Sequence, residues 1–208
     1  MSNRMKTGIF ISIAVFLLGI FLLRFAVPQT NFTQEEVTDE TLVKELEDRA
    51  EVSIKDYFGI EIDKSRPWET NVVLNTFKDD DKAIPVYVVM KKDSTENLEE
   101  GTVTSYGVIM TKDTKEIVGA IYMPVSNGPA KEMTDQEIEN KSTSFLQDKK
   151  ISAEKEELKV VQIERDEKSG NVRVIVEGQD MVYCVIYNLR TDAVTYFEKT
   201  KIVSQAEQ

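Results

Sequence analysis

Residues 8–23 read GIFISIAVFLLGIFLL without a charged residue, and after Arg24 the apolar run continues through Val27. Twenty helical residues extend roughly 30 Å, the hydrocarbon thickness of a bilayer. The run therefore predicts a transmembrane helix, with Arg24 snorkelling to the interface. Arg4 and Lys6 precede it, whereas Glu35, Glu36, Asp39 and Glu40 follow it. The positive-inside bias then keeps the N-terminus in the cytoplasm and sends the rest of the chain outside. The competing reading is a cleaved signal peptide, but residues 25–29 (FAVPQ) make a poor cleavage site. The expectation is a single-pass protein of the cell membrane with its C-terminal part extracellular.

That outer part carries 23 basic against 37 acidic side chains, a net charge of −14. Such a field repels nucleic acid and anionic surfaces, so no nucleic-acid partner is expected. The 208 residues contain no histidine and one cysteine. This excludes Ser-His and Cys-His nucleophile pairs, histidine-containing zinc sites, internal disulfides and CxxC redox pairs. No metal and no cofactor is predicted. An exported domain built without disulfides suits a bacterial envelope better than a eukaryotic secretory pathway.

Beyond a polar linker at residues 28–37, the pattern runs helix, strands, helix, strands. Leu42, Leu46, Ala50, Ile54 and Phe58 recur every four residues behind Thr38, the expected cap, with Asp39 and Glu40 as first-turn acids, and Gly59 marks the stop. Extended segments follow at residues 71–77, 84–90, 102–110 and 117–123, rich in β-branched and aromatic side chains. Residues 124–129 (PVSNGP) form the strongest boundary. Thr134 with Glu137 then makes a capping box, and strands are predicted at 158–163, 172–176, 181–187 and 194–197.

The two halves echo each other in residues as well as in order. Tyr106, Val108, Ile109, Thr114 and Ile117 recur 77 residues later as Tyr183, Val185, Ile186, Thr191 and Val194. A Tyr-x-Val-Ile strand, a polar turn with threonine and a closing apolar strand resemble a PepSY-type domain, and more broadly the cystatin-like fold. The glycine usual after the turn threonine in that family is replaced here by Lys115 and Asp192. The resemblance implies an α+β fold: a transmembrane helix followed by two units, each one helix on an antiparallel sheet. The expected division is 1–27 cytoplasmic tip and anchor, 28–37 linker, 38–124 first unit, 125–133 linker, 134–203 second unit and 204–208 tail. It also implies a small extracytoplasmic regulatory module of Gram-positive bacteria, acting on a cell-envelope enzyme, protease or sensor kinase.

Few constellations suggest chemistry. Ser152-Ala153-Glu154-Lys155 satisfies S-x-x-K, but its companion motifs are missing, and Ser152 reads as a cap. The acids at 79–81 read as a hairpin turn, since Ile84 and Met90 stand where a calcium loop needs glycine and glutamate. A carboxylate pair for cell-wall hydrolysis is the alternative function, and Glu61 and Asp63 come closest to one. No catalytic residue is predicted, and a non-enzymatic protein-binding module is expected. The candidate partner-binding residues are Val182, Cys184 and Ile186, three apolar positions on the strand face away from Tyr183, Val185 and Tyr187, together with the lone tryptophan, Trp68.

Overall fold

The computed structural model describes residues 31–79, 82–96 and 98–201. The expected span at residues 8–27 lies outside them, and among the described residues no helix is long and apolar enough to cross a membrane. This corrects the membrane-anchored architecture and the cell-membrane localisation built on that span.

Eleven elements follow in order: β1 (Asn31–Glu36), α1 (Glu40–Phe58), β2 (Trp68–Asp79), β3 (Lys82–Asp93), β4 (Val103–Thr111) and β5 (Ile117–Pro124). Then come α2 (Asp135–Asp148), β6 (Lys159–Asp166), β7 (Asn171–Glu177), β8 (Met181–Asn188) and β9 (Ala193–Lys201). Residues 31–36, expected within a polar linker, thus form an edge strand. Asp39 and Thr134 cap the helices, with Asp39 accepting from the Leu42 N–H and Thr134 completing a capping box with Glu137.

The strands make one nine-stranded sheet in the order β1-β2-β3-β4-β5-β9-β8-β7-β6, and every pairing from β2 onward is antiparallel. Two separate helix-on-sheet units were expected; a single continuous sheet is found. The physical reason lies at the seam. In separate units β5 and β9 would each leave a row of unpaired N–H and C=O groups at an open edge. Pairing them, through Gly119 with Glu198, Ala120 with Phe197 and Ile121 with Tyr196, removes both edges. Gly119 allows the approach, because a Cβ there would sit 3.2 Å from the Phe197 carbonyl oxygen.

The seam relates two halves of the sheet by an approximate two-fold. Tyr106, Val108, Ile109 and Met110 face Tyr122, Ala120, Gly119 and Ile117 on β5. Tyr183, Val185, Ile186 and Tyr187 face Lys199, Phe197, Tyr196 and Val194 on β9, all 77 residues on, and the bulge after Ile109 recurs after Ile186. One apolar row crosses the sheet from Val72 through Val89, Val108, Ala120, Phe197, Val185 and Val174 to Ile163. Both helices pack on the face bearing that row, where they form one core with it.

The two-fold breaks where it must. Ala120 and Phe197 occupy equivalent positions beside each other at the seam, and two rings could not share that space. The single Phe197 ring is instead packed by Tyr57 at 4.7 Å and Phe58 at 6.1 Å from α1, and by Phe145 at 6.0 Å from α2. Phe58 also stacks on Phe145 at 5.9 Å. Phe197→Ala should cost about 3–5 kcal/mol, because it empties the contact shared by both helices. Ala120→Phe should cost about 1–3 kcal/mol through overpacking. Urea unfolding of the purified protein measures both, and a Phe197→Ala loss below about 1 kcal/mol would contradict this packing.

Candidate functional site

The structure does not bring the four predicted partner-binding residues together. Trp68 opens β2 on the helix side, its ring edge-on to Tyr106 at 5.3 Å, its indole N–H donating to the Asp63 carbonyl at 2.9 Å. The Arg66 guanidinium lies 5.4 Å from the Trp68 ring centre and pairs with the buried Asp93 carboxylate. Val182, Cys184 and Ile186 lie on the opposite sheet face, flanked by Glu177 and Thr200, Ile175 and Glu198, and Arg173 and Tyr196 respectively. Cys184 is buried, whereas Val182 and Ile186 are half-buried. Burial, offset in part by Arg173, pushes the Cys184 thiol up to about 12, so thiolate chemistry is suppressed near neutrality. The same face carries buried Val73, Val88, Ile109, Ile121, Ile175 and Tyr196, so both halves present it as apolar.

The other motifs resolve into structural roles. Ser152 is buried, and its Oγ has no hydrogen-bond partner, so it is not bonded to Lys155. Glu61 pairs with Lys55 at 2.7 Å, and Asp63 accepts from the Ser65 hydroxyl at 2.6 Å. Both carboxyls are held below their ordinary values by those bonds. Among the described residues, no cluster of acids and cysteine could hold a metal ion.

The turns that close the two hairpins carry an arrangement that sequence reading missed. Lys115 and Asp192 both adopt a left-handed backbone, with φ of 55°. Left-handed backbone is where glycine is cheapest and a side chain costs free energy. Each side chain reaches back to the helix of its own half, with opposite polarity. Lys115 Nζ meets Glu45 of α1 at 2.6 Å, while Asp192 accepts from Lys141 of α2 at 2.9 Å and from Lys131 at 2.6 Å. Hydrogen bonds from Lys131, Tyr187 and Lys141 hold the Asp192 carboxyl well below the usual carboxylate range. Burial and the bond to Asp192 push the Tyr187 hydroxyl up to about 12.

A concavity lies on the helix side. It is a groove of about 810 Å³ between α1 and the end of α2, within the range of ligand-binding clefts. Val52, Tyr57 and Ile117 supply apolar surface, and Val52 is 58 % exposed although it stands in a helix. Asp48, Arg49, Asp148 and Lys150 also line it. Lys149, a further lining residue, is anchored through Nζ on the Asp56 carbonyl at 2.9 Å. A second hollow of about 410 Å³ flanks the same end of α2 and shares Asp148 and Lys149 with the first. The sequence does hold a signal for Val52: it is an apolar residue off the 42-46-50-54-58 stripe of its helix.

Comparison with protein-family models, with curated proteins and with solved structures found no match.

The Asp192 cluster makes a prediction about pH. A depressed carboxyl contributes stability above its ordinary value near 3.8 and loses it as pH falls below that value. Asp192→Asn keeps a residue tolerant of left-handed backbone and removes the charge. It should cost about 1–2 kcal/mol at pH 7 and progressively less below about pH 4. Chemical unfolding of both proteins between pH 7 and pH 2.5 tests this, and a penalty independent of pH would contradict it.

Proposed function

We propose that this chain is a non-catalytic binding module whose groove beside α1 holds a segment of another protein. The observation that carries the reading is the exposed Val52 with Tyr57 and Ile117, apolar surface inside a charged rim. Apolar anchors ringed by polar groups are the usual anatomy of a protein-recognition site. The charge balance favours protein over nucleic acid, since a net charge of −11 opposes phosphate binding. The resemblance of both closing hairpins to PepSY-type domains points the same way, because that family implies binding and regulation.

The carboxylate-hydrolase alternative finds less support. A glycosidase acid must be raised toward neutrality. Eight carboxylates among the described residues are displaced downward, not up: Glu51, Glu61, Asp63, Asp93, Glu137, Glu156, Asp166 and Asp192. Burial pushes several of them up, but hydrogen bonds and facing cations outweigh it.

Site-specific photocrosslinking tests the reading. Benzoylphenylalanine at position 52 should form adducts in cells that map to one contiguous peptide of a partner. The same group at Val161, another exposed apolar residue, on edge strand β6, should form none of them. An identical adduct set at both positions, or none at position 52, would remove the groove from the proposal.

A further inference from the structure

The segment that joins the two halves, residues 125–134, is gripped from both sides at one dipeptide. On the first-half side, the Val125 N–H donates to the Thr102 carbonyl and the Val125 carbonyl accepts from the Gly101 N–H, both at 2.8 Å. The Glu100 carboxylate then accepts the Asn127 N–H at 2.9 and 3.0 Å. On the second-half side, the Arg190 guanidinium donates to the Gly128 carbonyl at 2.7 Å, and the Lys131 N–H donates to the Leu189 carbonyl at 2.9 Å. Arg190 is itself fixed by the carbonyls of Lys168 at 3.0 Å and Ser169 at 3.2 Å. The chain therefore passes from the grip of one half to that of the other between the Asn127 nitrogen and the Gly128 carbonyl.

Asn127 is also the only asparagine in the sequence that precedes a glycine. The backbone nitrogen of a following residue can attack an asparagine side chain, and glycine hinders that approach least because it has no Cβ. Asn127 is exposed, and neither its side-chain amide nor the Gly128 N–H makes a hydrogen bond among the described residues. Other asparagines are held. Asn188 donates to Asn171 at 2.7 Å, and Asn140 stands in α2 and accepts from Gln136 at 3.2 Å.

We infer that Asn127 is a site of spontaneous hydrolytic modification whose isoaspartate product lengthens the backbone between the two grips. The Gly128 nitrogen bonds to Asn127 Cγ, the Cγ–Nδ2 bond breaks, and Nδ2 leaves as ammonia with the proton of the Gly128 nitrogen. Water then opens the cyclic imide at either carbonyl, giving aspartate or isoaspartate. Isoaspartate routes the main chain through Cγ and adds one methylene, about 1.5 Å of covalent chain. Both products also put a new carboxylate on the residue whose N–H Glu100 holds, so like charges are brought together. Only three residue pairs join β5 to β9, and a slackened linker lets that join open more readily.

The test ages the full chain at 37 °C and pH 8 and follows it by tryptic digestion. Residues 116–131 form one tryptic peptide in which Asn127 carries the only side-chain amide. Its mass should rise by the difference between an acid and an amide, with isoaspartate identified by fragmentation, while Asn140, Asn171 and Asn188 keep their amides. Gly128→Ala has room, since a Cβ there meets only Glu100 Oε1 at 3.9 Å. It should keep the wild-type melting temperature and slow conversion about tenfold. Amide exchange at residues 119–121 and 196–198 should be severalfold faster in aged than in fresh wild type, and unchanged by ageing in Gly128→Ala. Fresh Asn127→Asp, which has the charge without the added methylene, should exchange more slowly there than aged wild type. An Asn127 that stays intact while the same chain converts in urea, or a Gly128→Ala that converts as fast as wild type, would overturn the site. Conversion without faster exchange at the join, or Asn127→Asp exchanging as fast as aged wild type, would overturn the role of backbone lengthening.

Discussion

The packing of one ring, Phe197, holds the arrangement together. It stands in the apolar row at the join between β5 and β9, and rings from both helices close on it. Only three residue pairs define that join, fewer than in the neighbouring pairings. Backbone hydrogen bonding alone is therefore a thin connection between the two halves. What fixes their geometry is burial of aromatic surface above the join, where Tyr57, Phe58, Tyr122 and Phe145 gather around Phe197 and around one another. The groove follows from the same contact, because it lies where the end of α2 is brought alongside α1.

Around this centre the halves keep one plan and vary its chemistry. The helix-to-turn bridge is Glu45 to Lys115 in the first half and Lys141 to Asp192 in the second. The charges are exchanged while the geometry is kept. Such a swap preserves attraction, so each half can change both partners together without losing the tie. It also accounts for the missing glycines of the two turns. A glycine would relieve the backbone, but it would remove the side chain that reaches the helix.

Much of the local structure was legible in the sequence because its signals are local. Strand alternation from Val72 to Val89 and from Val172 to Tyr187, the capping box at Thr134 and the stop at Gly59 each act within a few residues. The offset of 77 between the closing hairpins recurs in the register itself, bulge included. The join of β5 to β9 was not legible, because each strand reads as the end of its own unit, and nothing short-range says that two such ends pair. Strand β1 was hidden by its polar composition, NFTQEE, which reads as linker. The groove was hidden for a different reason. Val52 lies off the core stripe, and the stop of α2 carries two lysines where a glycine would have marked it.

The central claim is that the two halves share one continuous sheet whose join is closed by aromatic packing. Amide hydrogen exchange resolved at Gly119, Ala120, Ile121, Tyr196, Phe197 and Glu198 tests this most directly. If the account is right, the hydrogen-bonded amides among these exchange only through global unfolding, with protection equal to that of the central strands β4 and β8. Exchange of the join at markedly lower free energy, with β4 and β8 still protected, would mean that the halves open independently, and the account would be contradicted.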